Sequence, residues 1–383
     1  MQCKELFNEI KNLNDKYIKI WEEFCSIESP TNFKEGLDKC GKYVMNWAED
    51  MGFEVEVCPQ EKSGDAVCIT MNPNAKGKPL CISGHMDTVH PVGAFGYPPV
   101  HFENDKICGP GVTDCKGGIV AGMLSMEALK NIGFTKCPVM LLLQTDEEVG
   151  SRLSDKKTIN YICEKAKGAA MFLNLEGFKA GCAVIQRKGI LNLEFKVKGQ
   201  KAHSAACATE GANAIAEAAY KIIEMEKLKD DEGLTCNCGI IRGGTTQNTV
   251  PDECVFRANI RFATSGQYDW VMEYAKKVSE EIHVKGCSCT ISVAGMRPAM
   301  ELCEANRKLL SEINRIYSQN AMPSLKPFFA RGGSDAAYVT SAGIPCVDSL
   351  GAEGGNIHSE NEFAYVKSLA ESAKRVSAVI YCI

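Results

Sequence analysis

Apolar residues recur along the chain at two spacings, which predict an alternation of helices and strands. Positions three and four residues apart near the start predict an amphipathic helix that contains Leu6, Phe7, Ile10, Leu13, Tyr17, Ile20, Trp21 and Phe24. Continuous apolar runs at residues 80–83 (LCIS) and 139–144 (VMLLLQ) predict strands that are buried on both faces. Between these runs, residues 118–133 predict a helix that ends at Gly133. The pattern is typical of an α/β domain.

The order of the predicted elements changes between residues 188 and 295. This segment predicts strand, helix, strand, strand, helix and strand, which is the βαββαβ order of a ferredoxin-like α+β domain. Helix and strand patterns then resume at residues 306–319 and 345–351. We therefore expect a discontinuous α/β domain made of residues 1–187 and 296–383, with a smaller domain of residues 188–295 inserted into it.

Composition and charge narrow the classes of partner. The chain has 383 residues, of which 45% are apolar, so it can bury the cores of two domains. Its 43 Lys and Arg residues against 48 Asp and Glu residues give a net charge of −5, which does not favour nucleic acid or an anionic membrane. The chain shows neither a signal-like start nor an apolar run that could span a bilayer, so we expect a cytoplasmic location. The 20 cysteines would then be mostly reduced packing residues, and the substrates small molecules.

Acids and histidines follow the predicted strands of the larger domain, and one acid lies in a glycine-rich loop that leads into a helix. They are His85, Asp87, Asp114, Glu147, Glu148, Glu176 and His358. Each one alone is explained by a surface side chain or a helix cap. Together, at the carboxyl ends of strands in an α/β sheet, they would converge on one crevice, where their negative charges would repel each other unless cations were present. The residues therefore predict a metal site.

Ten short motifs, in this order along the chain, carry a resemblance to a known family. They are SGHMDTV, GPGVTDCKGG, TDEEVGS, NLEG, RKG, VKGQKAHSA, GANAI, GGTTQNTVPD, RGGSDAAY and NIHSENE. Nearly the whole chain resembles the di-zinc metallopeptidases that include glutamate carboxypeptidase, acetylornithine deacetylase, succinyl-diaminopimelate desuccinylase and peptidase T. The glutamate carboxypeptidase branch is the most similar. The resemblance implies a mixed-sheet, zinc-exopeptidase-like catalytic domain with an inserted dimerisation domain.

The resemblance also implies a pair of metal ions. Asp114 would bridge the two ions, Glu148 and His358 would bind one of them, and His85 and Glu176 would bind the other. Two divalent ions carry +4 and the three carboxylates carry −3, so such a site would attract anions and acidify water. Zinc suits these ligands, with cobalt and manganese as alternatives.

Three further residues receive catalytic roles from the resemblance. Asp87 would orient a metal-binding histidine, and Glu147 would act as the general base. His203 would reach the active site of a partner subunit, which implies a homodimer formed through the inserted domain. The family also has a cis peptide at the position of the Asp114–Cys115 bond, although Cys115 departs from the residues that are common there.

Substrate recognition is assigned by resemblance to Asn248, Arg261 and Arg331. Arginine suits this role because its planar guanidinium can bind a carboxylate through two hydrogen bonds. We therefore expect a metal-dependent hydrolase that releases an amino acid with a free carboxylate from a small peptide. Two alternatives stay open: a deacylase of N-acyl amino acids, and a non-catalytic protein that binds amino-acid derivatives.

Overall fold

A computed structural model describes residues 2–230 and 233–383 of the chain, which form two compact units. The first unit comprises the described residues of Met1–Gln186, Leu302–Phe329 and Ser334–Ile383. The second comprises those of Arg187–Glu301, together with Ala330–Gly333. This second unit extends past residue 295 because its last strand continues to Arg297.

Helices and strands alternate through both units. The helices are α1 (Lys4–Ser26), α2 (Lys34–Asp50), α3 (Lys116–Asn131), α4 (Lys157–Lys165), α5 (Ala214–Met225), α6 (Ser265–Glu280), α7 (Glu304–Gln319), α8 (Ala336–Ser341) and α9 (Ser368–Cys382). The strands are β1 (Glu54–Cys58), β2 (Ala66–Met71), β3 (Leu80–His85), β4 (His101–Glu103), β5 (Lys106–Cys108), β6 (Val139–Gln144), β7 (Met171–Asn174), β8 (Cys182–Arg187), β9 (Gly189–Lys198), β10 (Ala202–His203), β11 (Thr235–Gly243), β12 (Thr249–Val250), β13 (Glu253–Phe262), β14 (Ser288–Arg297), β15 (Lys326–Ala330), β16 (Cys346–Val347), β17 (Gly354–Gly355) and β18 (Phe363–Tyr365). Among the described helices, none combines the length and the apolar character that crossing a bilayer requires.

The first unit is built on a mixed six-stranded sheet. Its strand order is β1-β2-β6-β3-β7-β16. Strand β3 runs parallel to both β6 and β7, whereas β2 runs antiparallel to β6. The apolar runs that predicted buried strands are β3 and β6, and β3 is buried along its whole length. The predicted mixed α/β fold is therefore confirmed.

Helix α3 lies in the centre of the first unit. Every residue from Lys116 to Leu129 is buried, and the helix packs against α1, α9 and β3. Helix α1 covers it with the apolar face that the sequence predicts, in which Leu6, Ile10, Tyr17, Trp21 and Phe24 are fully or almost fully buried. A helix buried on all sides is held rigidly, and the loop that enters α3 carries Asp114.

The second unit contains a four-stranded antiparallel sheet with the order β11-β13-β9-β14. In chain order its main elements are β9, α5, β11, β13, α6 and β14, the βαββαβ sequence. Alternate residues of β9 are buried, and Phe195 stacks on Phe256 with ring centroids 4.5 Å apart. The unit therefore has its own apolar core beneath α5 and α6. A short antiparallel pair, β10 and β12, also belongs to this unit.

Candidate functional site

Three neighbouring strands of the large sheet end at the same edge and deliver four of the predicted site residues. Because β6, β3 and β7 are adjacent and parallel, their carboxyl ends meet. His85 is the last residue of β3. Glu147 and Glu148 open a 3-10 turn directly after β6, and Glu176 follows β7 by two residues. The strand order alone therefore gathers one imidazole and three carboxylates.

A close approach between α3 and the end of β7 brings Asp114 to the same place. A side chain at Gly118 would lie 2.0 Å from the carbonyl oxygen of Leu175, the residue before Glu176. Only glycine permits backbones to approach so closely. The glycines that follow Asp114 therefore let the start of α3 lie against Glu176.

Asp114 stands between two histidines, each of which contacts a different carboxylate oxygen. Its Oδ1 lies 3.2 Å from His85 Nε2, and its Oδ2 lies 3.2 Å from His358 Nε2. His85 Nε2 also lies 3.8 Å from Glu176 Oε2, and His358 Nε2 lies 3.3 Å from Glu148 Oε2. The result is two histidine–glutamate pairs that share one aspartate. Ligand atoms of His85, Asp114 and Glu148 lie within 4.8 Å of one another, close enough to hold a metal ion.

The carboxylates of this cluster titrate far from their ordinary values. Burial opposes ionisation of Asp114, but hydrogen bonds from His358 and His85 outweigh it and hold the pKa of Asp114 well below its usual range. Burial, reinforced by the charge of Asp114, raises the pKa of Glu176 well above its ordinary value. Burial also raises the pKa of Glu148 to about 7, against the hydrogen bond from His358. Three acids this close cannot all be ionised unless positive charge is supplied.

The pKa values of both histidines are raised. Hydrogen bonds to Asp114 and Glu148 raise the pKa of His358 to about 10. Burial lowers the pKa of His85, but the electrostatic effect of Cys115 and hydrogen bonds with Asp114, Asp87 and Glu176 raise it well above 6.5 overall. Protons and metal ions would therefore compete for the same nitrogen and oxygen atoms.

Asp87 supports the cluster through both its backbone and its side chain. His85 Nδ1 lies 2.9 Å from the carbonyl oxygen of Asp87 and 3.3 Å from its Oδ1, so the shorter contact is to the backbone. A hydrogen bond from Nδ1 leaves His85 Nε2 available to a cation. The Asp87 carboxylate also accepts the backbone N–H groups of Glu147 at 3.2 Å and Glu148 at 3.1 Å, and the hydroxyl of Thr31 at 2.8 Å.

Cys115 and Glu362 also belong to the site, although the sequence did not predict a functional role for either residue. Cys115 is buried, its Sγ accepts the backbone N–H of His85 at 3.3 Å, and with His85 and Glu176 it forms a second candidate ligand group. The Asp114–Cys115 peptide bond is cis, as the resemblance predicts.

Glu362 is buried behind Asp114 and accepts its backbone N–H. A glutamate that binds backbone groups has no sequence signature beyond its place in NIHSENE.

Two predicted residues of the second unit lie at the β10–β12 pair, since His203 ends β10 and Asn248 directly precedes β12. His203 is opposite Thr249 in this pair, and the backbone N–H of Ser204 donates to the carbonyl oxygen of Asn248 at 3.0 Å. The side chains of His203 and Asn248 are exposed. His203 Nδ1 accepts the N–H of Ala205, so its Nε2 points away from this turn.

The other two predicted residues belong to a group of positive charges in the second unit. Arg261 lies on β13 and donates to Asn259 at 3.1 Å, and Arg331 is an exposed residue of the short segment Ala330–Gly333. Burial lowers the pKa of Lys188, and the charge of Arg331, with a contribution from Arg261, lowers it further against the opposing charge of Asp230. Lys188 was not predicted, because only the fold brings these cations together.

Comparison with known proteins gives the same family as the motifs. The sequence matches peptidase family M20/M25/M40 over residues 81–381. Carboxypeptidase G2 of Pseudomonas sp. (strain RS-16) is 28% identical over 363 residues, which cover 93% of this chain and 86% of that protein. Acetylornithine deacetylase of Klebsiella pneumoniae (strain 342) is 25% identical over 283 residues, which cover 66% of this chain and 69% of that protein.

A solved structure shows the same fold. Aminopeptidase PepT from Bacillus cereus ATCC 10987 superposes with a TM-score of 0.78 at 21% identity, covering 96% of this chain and 98% of that one. The family and branch that the motifs resemble are therefore confirmed. Because the family match spans most of its length, the chain belongs to peptidase family M20/M25/M40 and is a hydrolase that acts on amide bonds.

Proposed function

We propose that this hydrolase binds two divalent metal ions and releases an amino acid with a free carboxylate from a small peptide. The observation that carries the proposal is the position of Asp114, whose two oxygens each lie 3.2 Å from a different histidine. A carboxylate placed in this way can bridge two cations, one held with His85 and Glu176 and the other with His358 and Glu148. Zinc suits this mixture of imidazole and carboxylate, with cobalt or manganese as alternatives.

The proposed reaction needs a base beside the cluster, and Glu147 fits this role. Two divalent cations would polarise the scissile carbonyl group and lower the pKa of the attacking water. Glu147 is buried, and its backbone is held by Asp87, which also contacts His85. In the proposed mechanism Glu147 accepts a proton from water and later donates it to the departing amine. Asp87 positions the base and one histidine at the same time.

The cations of the second unit support a substrate that carries a carboxylate. Arg331 and Arg261 act electrostatically on Lys188, which places three positive charges in one neighbourhood. We propose that this group binds the carboxylate of the leaving amino acid, because arginine matches carboxylate geometry and clustered cations strengthen the attraction. Asn248 and His203 would contact the reacting part of the substrate.

A second candidate function keeps the same chemistry but removes an acyl group from an N-acyl amino acid. It is supported by the similarity to acetylornithine deacetylase. The two candidates differ in kcat/KM on dipeptides and on N-acyl amino acids, since each would place a different group on the acyl side. The chain belongs to a family of hydrolases, which argues against a purely non-catalytic binding protein.

A homodimer formed through the second unit is also part of the proposal. Strand β11 is an edge strand of the sheet, and edge strands expose unpaired backbone groups that can join another chain. On β11 and on the neighbouring helix α5, large apolar side chains are exposed, namely Ile215, Tyr220, Ile223, Ile240 and Ile241. Such a surface is typical of an interface, and His203 of one subunit would then act at the partner's active site.

We also propose that the protein works in the cytoplasm. The twenty cysteines are free thiols in the structure, and residues such as Cys81 and Cys254 are fully buried among apolar neighbours. Counting thiols after denaturation without reductant tests this location, since a reducing compartment should leave nearly all of them reactive.

The pKa shifts predict how metal affinity depends on pH. Glu148, with a pKa of about 7, and Glu176 are protonated in the metal-free form at low pH, so a metal ion must displace those protons. Apparent zinc affinity should rise with pH and should rise most steeply below about pH 7, by about tenfold per pH unit for each displaced proton. Chelator competition between pH 5.5 and 8 measures this, and an affinity that does not change with pH would contradict the assignment.

Replacing the proposed base should separate catalysis from metal binding. Glu147→Gln keeps the shape of the side chain but cannot accept a proton, so kcat should fall by about 100- to 10,000-fold. Zinc content, measured by elemental analysis, should stay at the wild-type level. The adjacent Glu148→Gln is the matched control and should lose zinc. Turnover by Glu147→Gln near the wild-type rate would remove Glu147 from the mechanism.

Truncation of Arg331 tests the carboxylate-binding group. Arg331→Ala should lower kcat/KM for a peptide with a free terminal carboxylate by about 10- to 100-fold, because a hydrogen bond to a charged group contributes roughly 1.5–3 kcal/mol. The same peptide with an amidated terminus should be hydrolysed equally poorly by both enzymes. Arg257→Ala is the control, since Arg257 pairs with Glu194 on the same unit. Equal losses on both peptides would argue against carboxylate recognition.

A charge placed on the exposed edge strand should disrupt the proposed dimer. Ile240→Asp lies on β11, whereas Val293→Asp places the same charge on the opposite edge strand, β14, and serves as the control. Light scattering should show a monomer only for Ile240→Asp, and its activity should fall as it does in His203→Ala. Full activity in a strictly monomeric variant would exclude His203 from the reaction.

A further inference from the structure

The Glu362 carboxylate lies behind the proposed metal site and is almost completely buried, with 1% of its surface exposed. Its Oε1 accepts the backbone N–H groups of Thr113 at 2.9 Å and Asp114 at 3.0 Å. Its Oε2 lies 2.9 Å from His90 Nε2 and accepts the N–H of Gly111 at 3.4 Å. Four donors thus surround one buried negative charge, which is what makes its burial tolerable.

These contacts join three loops of the proposed metal site. One loop carries Asp114, and the other two carry the histidines on either side of it, His85 and His358. Glu362 follows His358 by four residues, and His90 follows His85 by five. The loop before α3 is held through the N–H of Asp114. The backbone N–H of Glu362 donates to Ser359 at 2.9 Å, so the segment with His358 is tied to the same carboxylate.

The burial of Glu362 excludes contact with substrate. His90 is also buried, and its ring packs edge-on against Phe95 with centroids 4.9 Å apart. Both oxygens of the Glu362 carboxylate already contact backbone N–H groups or the imidazole of His90. Glu362 can therefore affect the reaction only by changing the position of Asp114.

We infer that Glu362, oriented by His90, is a positioning residue that fixes Asp114 between His85 and His358 and thereby sets the metal affinity of the site. The inference rests on the proposed metal site. The reason is geometric: Asp114 must keep one oxygen toward each histidine, and the backbone from which it projects is held by the Glu362 carboxylate. Partners of this kind usually change metal affinity by about 10- to 100-fold when they are removed.

The decisive variant is Glu362→Gln in the full-length protein. Its side-chain oxygen is a neutral and therefore weaker acceptor for the N–H groups of Thr113 and Asp114. Its amide nitrogen cannot accept from Gly111 or from His90. Zinc affinity, measured by chelator competition, should fall by about 10- to 100-fold, and the visible absorption spectrum of the cobalt-loaded protein should change. The free energy of unfolding of the metal-free protein is measured in parallel, to show how much the substitution destabilises the fold.

A buried glutamate elsewhere in the same unit provides the matched control. Glu127 accepts from Tyr17 at 2.6 Å and from Lys16 at 2.7 Å, and it does not contact the metal site. Glu127→Gln should destabilise the metal-free protein but leave the zinc affinity and the cobalt spectrum as in wild type. A merely structural role for Glu362 would make the two variants behave alike.

His90 supplies a second pair of variants if Glu362→Gln does not fold. His90→Ala should weaken zinc binding in the same direction, and His90→Gln, whose amide can donate from the position of Nε2, should restore it. Zinc affinity within twofold of wild type in Glu362→Gln, or in His90→Ala, overturns the inference. Wild-type protein that binds no zinc overturns the proposed metal site as well, which distinguishes the two failures.

Discussion

The site can form only if the negative charges around Asp114 are balanced by positive charge. Asp114 is buried, and Glu148 and Glu176 are largely buried, close to two histidines. The pKa of Asp114 is lowered, whereas the pKa values of both glutamates are raised. Isolated buried charges are costly, so such a group persists only where opposite charge is present. Two divalent ions would supply +4 against the −3 of these acids, and would turn a repulsive cluster into a site that attracts anions and acidifies water. In the absence of metal ions, protons can neutralise only part of this negative charge.

Several levels of the fold bring these charged residues together. The parallel neighbours β6, β3 and β7 end at one edge and place His85, Glu148 and Glu176 there. The glycines after Asp114 let α3 approach the end of β7. Behind these residues, Asp87 and Glu362 accept backbone N–H groups of the loops that carry the site. Buried carboxylates therefore serve two purposes in this unit, since some face the proposed ions and others hold the loops in place.

Much of this arrangement follows from the sequence, because it depends on local periodicity. The apolar runs of β3 and β6 and the amphipathic pattern of α1 identify their elements correctly, and acids after buried strands indicate a common edge. The glycine-rich approach to α3 is visible in the motif around Asp114. The βαββαβ order of the second unit is also readable from alternation along its strands.

Long-range contacts explain what the sequence could not show. Glu362 acts on Thr113 and Asp114, which lie 249 and 248 residues away, and nothing near Glu362 announces those partners. The loop Ala330–Gly333 groups with the second unit although more than 30 residues separate it from Arg297, because association depends on three-dimensional contact. The contact between the carbonyl oxygen of Asp87 and His85 likewise depends on a local turn rather than on residue type.

Anomalous diffraction from zinc-loaded crystals can show whether two metal ions share Asp114. If they do, two strong peaks are expected about 3.5–4 Å apart, one on each side of the Asp114 carboxylate. One peak would lie beside His85 and Glu176, and the other beside His358 and Glu148. A single peak, or peaks distant from Asp114 in fully loaded crystals, would contradict the proposed pair of metal ions.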